Sequence, residues 1–355
     1  MKETVIETGE KIFSQFDFRE MNQFLEKIFP NDKIEFGSFV KGVISGDLEF
    51  TLELFWKMIS DQFVYELANT KTSIIHILII VIIAAIFYNF SGVFLSEQVS
   101  EMSFYALYML LITICLNAFR ILISSALYGL GNMLEFLSLL GPVYFMAVAI
   151  ATGSATSVAF YNMVLILVCI VEIVIQDFLI PLVKIYMLIK VVNGLSKEEF
   201  LSKFGELLHT VIQWTLKILL GGVIGINFIQ GMLTPAIDAV KRSVFARTGE
   251  ALPFVGDALG GATEVVLGTA VLIKNGIGVA GAVICVVICM SPVIQMAVIS
   301  FMYKLVAAMT QPISDKRLIG CISSMSDGAG ILLRIIFTSG VLFLITIAMV
   351  ASSTS

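Results

Sequence analysis

Arg120, Glu172, Asp177, Lys184, Lys217, Lys274 and Arg334 lie inside long apolar runs, with Glu135, His76 and His209 nearer their edges. Ionisable groups in such surroundings are costly and face a bundle interior or a water-filled path, so each is a candidate for function. The chemistry open to them is ion pairing between helices, snorkelling to the membrane surface, or passage of a proton or solute. Glu172 and Asp177 share one apolar run with Lys184 and Lys190, at spacings that do not follow the four-residue pairing rule. At least one of the two acids is therefore expected to meet Arg120, Lys217 or Arg334 on another helix.

Bond-making chemistry has no such foothold. The sequence contains no HExxH, GxSxG or P-loop pattern, and Gly225-Ile226-Asn227 and Gly276-Ile277-Gly278 lack a following phosphate-binding lysine. The chain reads as a non-enzyme without a cofactor, so energy from nucleotide hydrolysis would come from another protein. The five cysteines, Cys115, Cys169, Cys285, Cys289 and Cys321, form no CxxC pair and read as small buried apolar groups. Cys285 and Cys289 share a helix face but have no nearby His or acidic partner, which makes them a poor metal site.

The elements that must position these groups are organised around residues 253–281. This stretch is apolar enough to enter a membrane, yet Gly256, Gly260, Gly261, Gly268, Gly276, Gly278 and Gly281 interrupt it. Missing side chains let helices approach closely, or let a helix break where protein covers it. The glycines are thus candidates for tight packing or for a gate, and the segment for a re-entrant or interrupted path.

Composition sets the class. The chain is 58% hydrophobic and 14% charged, with a mean hydropathy of +0.97, far from the one-quarter charged residues of a soluble protein. Residues 1–71 carry 8 Lys/Arg against 13 Asp/Glu, while 72–355 carry 14 of each, so the net charge of -5 resides in the N-terminal segment. With no basic patch, nucleic acid is excluded as a partner and anionic lipid has no anchor. The fold class is all-α: a polytopic membrane domain over 72–355, preceded by a small helical extramembrane domain over 1–71.

The opening residues lack a signal-peptide pattern, which suggests a trimmed N-terminus. Apolar positions Phe18, Met21, Leu25 and Ile28, then Phe36, Phe39, Val40 and Val43, then Leu48 to Leu67 recur at helical spacing. A domain this small has a marginal core and is expected to pack on the membrane domain or a partner. Spans of about 20 residues fit 73–95, 104–124, 134–152, 158–180, 207–229, 267–290, 292–309 and 331–351, about eight with seven or nine as alternatives. Gln176, Asp177 and Pro181 leave 158–192 open as one broken helix or two short ones. Segments starting at Ser196, with its capping-box Glu199, and at Thr234-Pro235 read as amphipathic surface helices. Lys190, Lys197 and Lys203 on one side balance against Lys241, Arg242, Arg247, Lys316 and Arg317 on the other, which places the N-terminal domain outside the cytoplasm.

The ordered runs Thr234-Pro235-Ala236-Ile237-Asp238, Pro253-Phe254-Val255-Gly256, Lys274 to Gly281 and Gln311-Pro312-Ile313-Ser314-Asp315-Lys316-Arg317 resemble the stage III sporulation protein AE family of endospore-forming Firmicutes. The resemblance implies residence in the mother-cell membrane around the forespore. It also implies a role in a channel or secretion-like feeding complex with the other membrane proteins of one sporulation operon, an ATPase supplied in trans and a forespore partner. It carries no catalytic residues. The alternative reading is a self-contained small-solute transporter or permease, motivated by Arg120, Glu172 and Asp177 within spans.

Overall fold

A computed structural model describes residues 10, 12–29, 34–46, 48–94, 97–152, 156–195, 200–249 and 256–352. They form α1 (Arg19–Ile28), α2 (Phe36–Ser45), α3 (Leu48–Phe94), α4 (Glu97–Thr152) and α5 (Thr156–Ile173). A π-helical turn (Val174–Leu179) then leads to α6 (Ile180–Asn193), α7 (Ser202–Gly249), α8 (Gly256–Thr310) and α9 (Lys316–Ser352). The described residues contain no strand. The protein is all-α and polytopic, as composition required.

Six helices among the described residues are long and apolar enough to cross a membrane, against the expected eight. The difference lies in two continuous rods. The expected spans 104–124 and 134–152 are both parts of α4, and 267–290 and 292–309 are both parts of α8. Gly129, Gly131 and Pro292 do not end their helices, and Gly129 packs directly on Pro292 where the two rods meet. The apolar stretches Glu101–Ala151 and Gly268–Thr310 span 51 and 43 residues. At 1.5 Å per residue both exceed the roughly 30 Å hydrocarbon core, so each rod extends beyond it.

Two further expectations change in the same way. The glycine-rich stretch is not interrupted: from Gly256 onward it belongs to α8, and 253–255 lie outside the described residues. The segment starting at Thr234 is no separate surface helix but a continuation of α7, while the Ser196–Glu199 box lies outside the described residues. Helix α3 contains residue 71, the expected boundary between the N-terminal and membrane domains.

The open question at 158–192 resolves as one rod with a π turn. Pro181 has no N–H and its ring crowds the carbonyl one turn back, so the preceding turn widens. Ile180 N–H accordingly reaches Ile175 O, five residues back.

Helix α8 makes the most extensive contacts in the bundle, and α9 buries one face against it. Ile322, Met325, Ala329, Leu332, Ile335 and Ile336 of α9 are all fully buried, and α9 packs on α8 most extensively, then on α4, α6 and α7. Arg317 lies 3.7 Å over the Phe104 ring and 3.2 Å from Asp315. Arg317→Ala is expected to lower stability by about 1–2 kcal/mol, since it removes a cation–π contact and an ion pair that are only partly solvated. A shift in unfolding temperature no larger than that of an exposed control such as Lys316→Ala would contradict this.

The two N-terminal helices pack against the rods. Phe13, Phe16, Phe18 and Phe36 form an aromatic cluster. Phe24 stacks on Phe136 of α4 at 6.1 Å, and Lys27 lies 3.7 Å from Glu135. Close approach of α2 to α8 depends on Gly276, where an added Cβ would sit 2.5 Å from Ile44 Cγ1.

Candidate functional site

A polar seam runs between α3, α4 and α8. Gln62 and Glu66 are four apart on α3 and so share a face, and Gln62 Nε2 donates to Glu66 Oε1 at 3.0 Å. Glu66 is only 4% exposed. The Gln295 side chain of α8 is a second hydrogen-bond partner of its carboxyl, while Ser125 Oγ of α4 donates to Gln295 Oε1. With its oxygen engaged by Ser125, Gln295 has its amide N–H left for the carboxylate. Three helices are thereby joined by one chain of hydrogen bonds.

Beside this chain lies a cavity of about 480 Å³ whose lining includes Gln62, Tyr65, Ser125, Tyr128, Asn132 and Ser291. Gly129 lets the rods close at this level, since a Cβ there would lie 2.8 Å from Pro292 Cγ. The seam can hold a charge, order water and bind a small polar group. It has no base paired with a nucleophile among its described residues, and no group of three metal-ligating side chains occurs among the described residues. Ser125→Ala should cost about 1 kcal/mol, the usual scale of a hydrogen bond between membrane helices. Unfolding in mild detergent checks this, and a loss above that of Glu66→Ala would contradict the order proposed.

The charges picked out from sequence occupy different places. Arg120 is exposed on α4, Asp177 in the π turn, Lys184 on α6, Lys217 on α7 and Arg334 on α9. Glu172 is half-buried and accepts a hydrogen bond from Gln176 Nε2 at 2.7 Å. Among the described residues no ion pair joins Glu172 or Asp177 to Arg120, Lys217 or Arg334, so the expected meeting across helices does not occur within one copy. Lys274 is fully buried. His209 lies 3.2 Å from Gln213 and 5.9 Å, ring to ring, from Tyr186.

The glycines divide likewise. Gly256, Gly260 and Gly261 lie on the backbone of α8, whereas Gly276, Gly278 and Gly281 sit at contacts with Ile44, Tyr144 and Leu140. These three are packing positions.

Sequence reasoning missed the seam because Glu66 was counted with the polar N-terminal residues, and Gln295 and Asn132 carry no charge to draw attention. Asp327, exposed on α9, was missed because it precedes the span expected at 331–351. Its signal was an acid seven residues before Arg334.

Comparison with known proteins gives one consistent result. The model of the family described as stage III sporulation protein AE matches residues 34–354. The chain is also 25% identical over 284 residues to the stage III sporulation protein AE of Bacillus subtilis (strain 168), covering 80% of this chain and 71% of that one. No solved structure matches.

Proposed function

The chain belongs to the stage III sporulation protein AE family, and from this premise we propose that it is a non-enzymatic, integral-membrane component of a mother cell–forespore channel or secretion-like feeding complex. Membership carries a role in sporulation, and the six apolar helices make it a membrane protein. In the proposed role it resides in the mother-cell membrane around the engulfed forespore, with the acidic N-terminal helices outside the cytoplasm. Its partners are the other membrane proteins of its operon, an ATPase supplied in trans, and a forespore protein reached through the complex.

The observation that carries this reading over a self-contained transporter is the position of the charges. Arg120, Asp177, Lys184, Lys217 and Arg334 are all exposed on a single copy, and none lines the seam cavity. A transporter needs its charges gathered around one internal site; a component of a larger assembly presents them to neighbours.

Removing the gene from a sporulating host should leave forespores that complete engulfment and then stop developing. A fluorescent fusion should collect in the mother-cell membrane around them. Normal spore yield without the gene, or a fusion confined to the forespore's own membrane, would overturn the reading.

A further inference from the structure

We propose that the chain self-assembles in the membrane, α6 and the π turn before it in one copy against α9 of the next, through ion pairs at two depths: Lys184 with Asp327, and Asp177 with Arg334. The inference does not depend on the proposed role in sporulation.

Three of the four, Asp177, Lys184 and Arg334, lie at bilayer depth by span length alone, and the depth of Asp327 follows from its neighbours on α6. A stretch of about 20 residues, the length a bilayer core requires, cannot be chosen within Ile166–Asn193 without including Asp177 and Lys184, nor within Lys316–Ala348 without including Arg334. All four are nevertheless exposed on a single copy. Among the described residues the ion pairs join other groups, and none of them includes any of these four. Charges at this depth are not left facing lipid; they face protein or water.

Their depths match in pairs. Tyr108 Oη of α4 donates to Val191 O of α6 at 3.1 Å, whereas a Cβ on Gly328 of α9 would meet both Phe119 and Met187. Helix α6 therefore runs antiparallel to α4. Arg317 over Phe104, followed by Gly328 against Phe119, makes α9 parallel to α4. Tyr186 and Asp327 are near enough to interact electrostatically, so Lys184, two residues from Tyr186, lies close to the depth of Asp327. Seven residues back, in the π turn that leads into α6, is Asp177, and seven forward along α9 is Arg334. Because the helices are antiparallel, both steps run the same way, by about 10 Å. Each helix thus carries an acid and a base in opposite order at two shared depths.

The pairs are kept apart within one copy. Tyr186 is buried towards His209 and Asp327. Lys184, two positions earlier, points about 200° round the helix from it and so away from α9. Seven-residue spacing keeps Asp327 and Arg334 on one line of α9, with a drift of only about 20°. A second copy turned about an axis along the membrane normal keeps every depth, and brings the α6 row of one chain to the α9 row of the other. Such a contact is head-to-tail, so each copy offers one row and receives another. Sliding by the spacing of the pairs would set like charges together, which fixes the register.

Cross-linking tests this directly. Cys115, Cys285, Cys289 and Cys321 are buried and only Cys169 is exposed, so the tests are made in a Cys169→Ser background. One tagged chain carries Lys184→Cys and a differently tagged chain carries Asp327→Cys, co-expressed and treated in membranes with a short bis-thiol reagent. A cross-linked dimer bearing both tags is expected, with none from either variant alone. In parallel, Lys184→Asp or Asp327→Lys should abolish co-isolation of two differently tagged full chains, and the double reversal in both copies should restore it. Absence of the mixed dimer, an equal dimer from one variant alone, or a double reversal no better than the single ones would overturn the proposal.

Discussion

Replacing Glu66 by alanine is expected to lower the stability of the purified protein by about 3 kcal/mol and to reduce its accumulation in membranes severalfold. The carboxyl accepts hydrogen bonds from Gln62 and Gln295, and Gln295 in turn ties in Ser125. Truncation leaves half-buried amide donors without their acceptor and enlarges the neighbouring cavity of about 480 Å³. Glu66→Gln retains an acceptor oxygen and the volume, so its loss should stay near 1 kcal/mol. Thermal unfolding in nanodiscs measures both, and an alanine variant as stable as the glutamine variant would show that the seam does not hold the helices.

Gly281→Leu should be at least as damaging. A bare Cβ at Gly281 would already lie 2.6 Å from Leu140 Cδ2, and a leucine would have to force α4 and α8 apart. Overpacking a fitted core costs about 1–3 kcal/mol even where neighbours relax; two long rods in contact along much of their length relax poorly. The same change at Gly221, where nothing lies within 4 Å of an added Cβ, should be tolerated. Equal expression and equal unfolding temperatures for the two variants would contradict the packing role.

The class of fold was legible because it depends on sums over many residues: apolar runs, low charge and helical spacing in the N-terminal segment. Local chemistry was legible where one residue type dominates the outcome. Pro181 disturbed its helix as expected, and Gly276, Gly278 and Gly281 lie where helices meet. Continuity of the rods was not legible, since whether Gly129 or Pro292 ends a helix depends on what packs around it, and those two residues pack on each other. Glu66 was hidden for a related reason. A carboxyl four residues from a glutamine looks solvated in sequence, and only the approach of Gln295, more than two hundred residues later, makes it a buried junction. The acids and bases within spans were recognised, but their pairing could not be read from spacing, because it depends on the direction and rotation of separate helices.

Native co-isolation of the tagged chain from membranes of sporulating cells, with each stoichiometric companion identified by mass, tests the central claim most directly. Recovery together with the operon's other membrane proteins and its ATPase is the result expected of a component of a trans-envelope complex. Recovery of this chain with copies of itself alone, from cells in which forespore development proceeds normally, would contradict it.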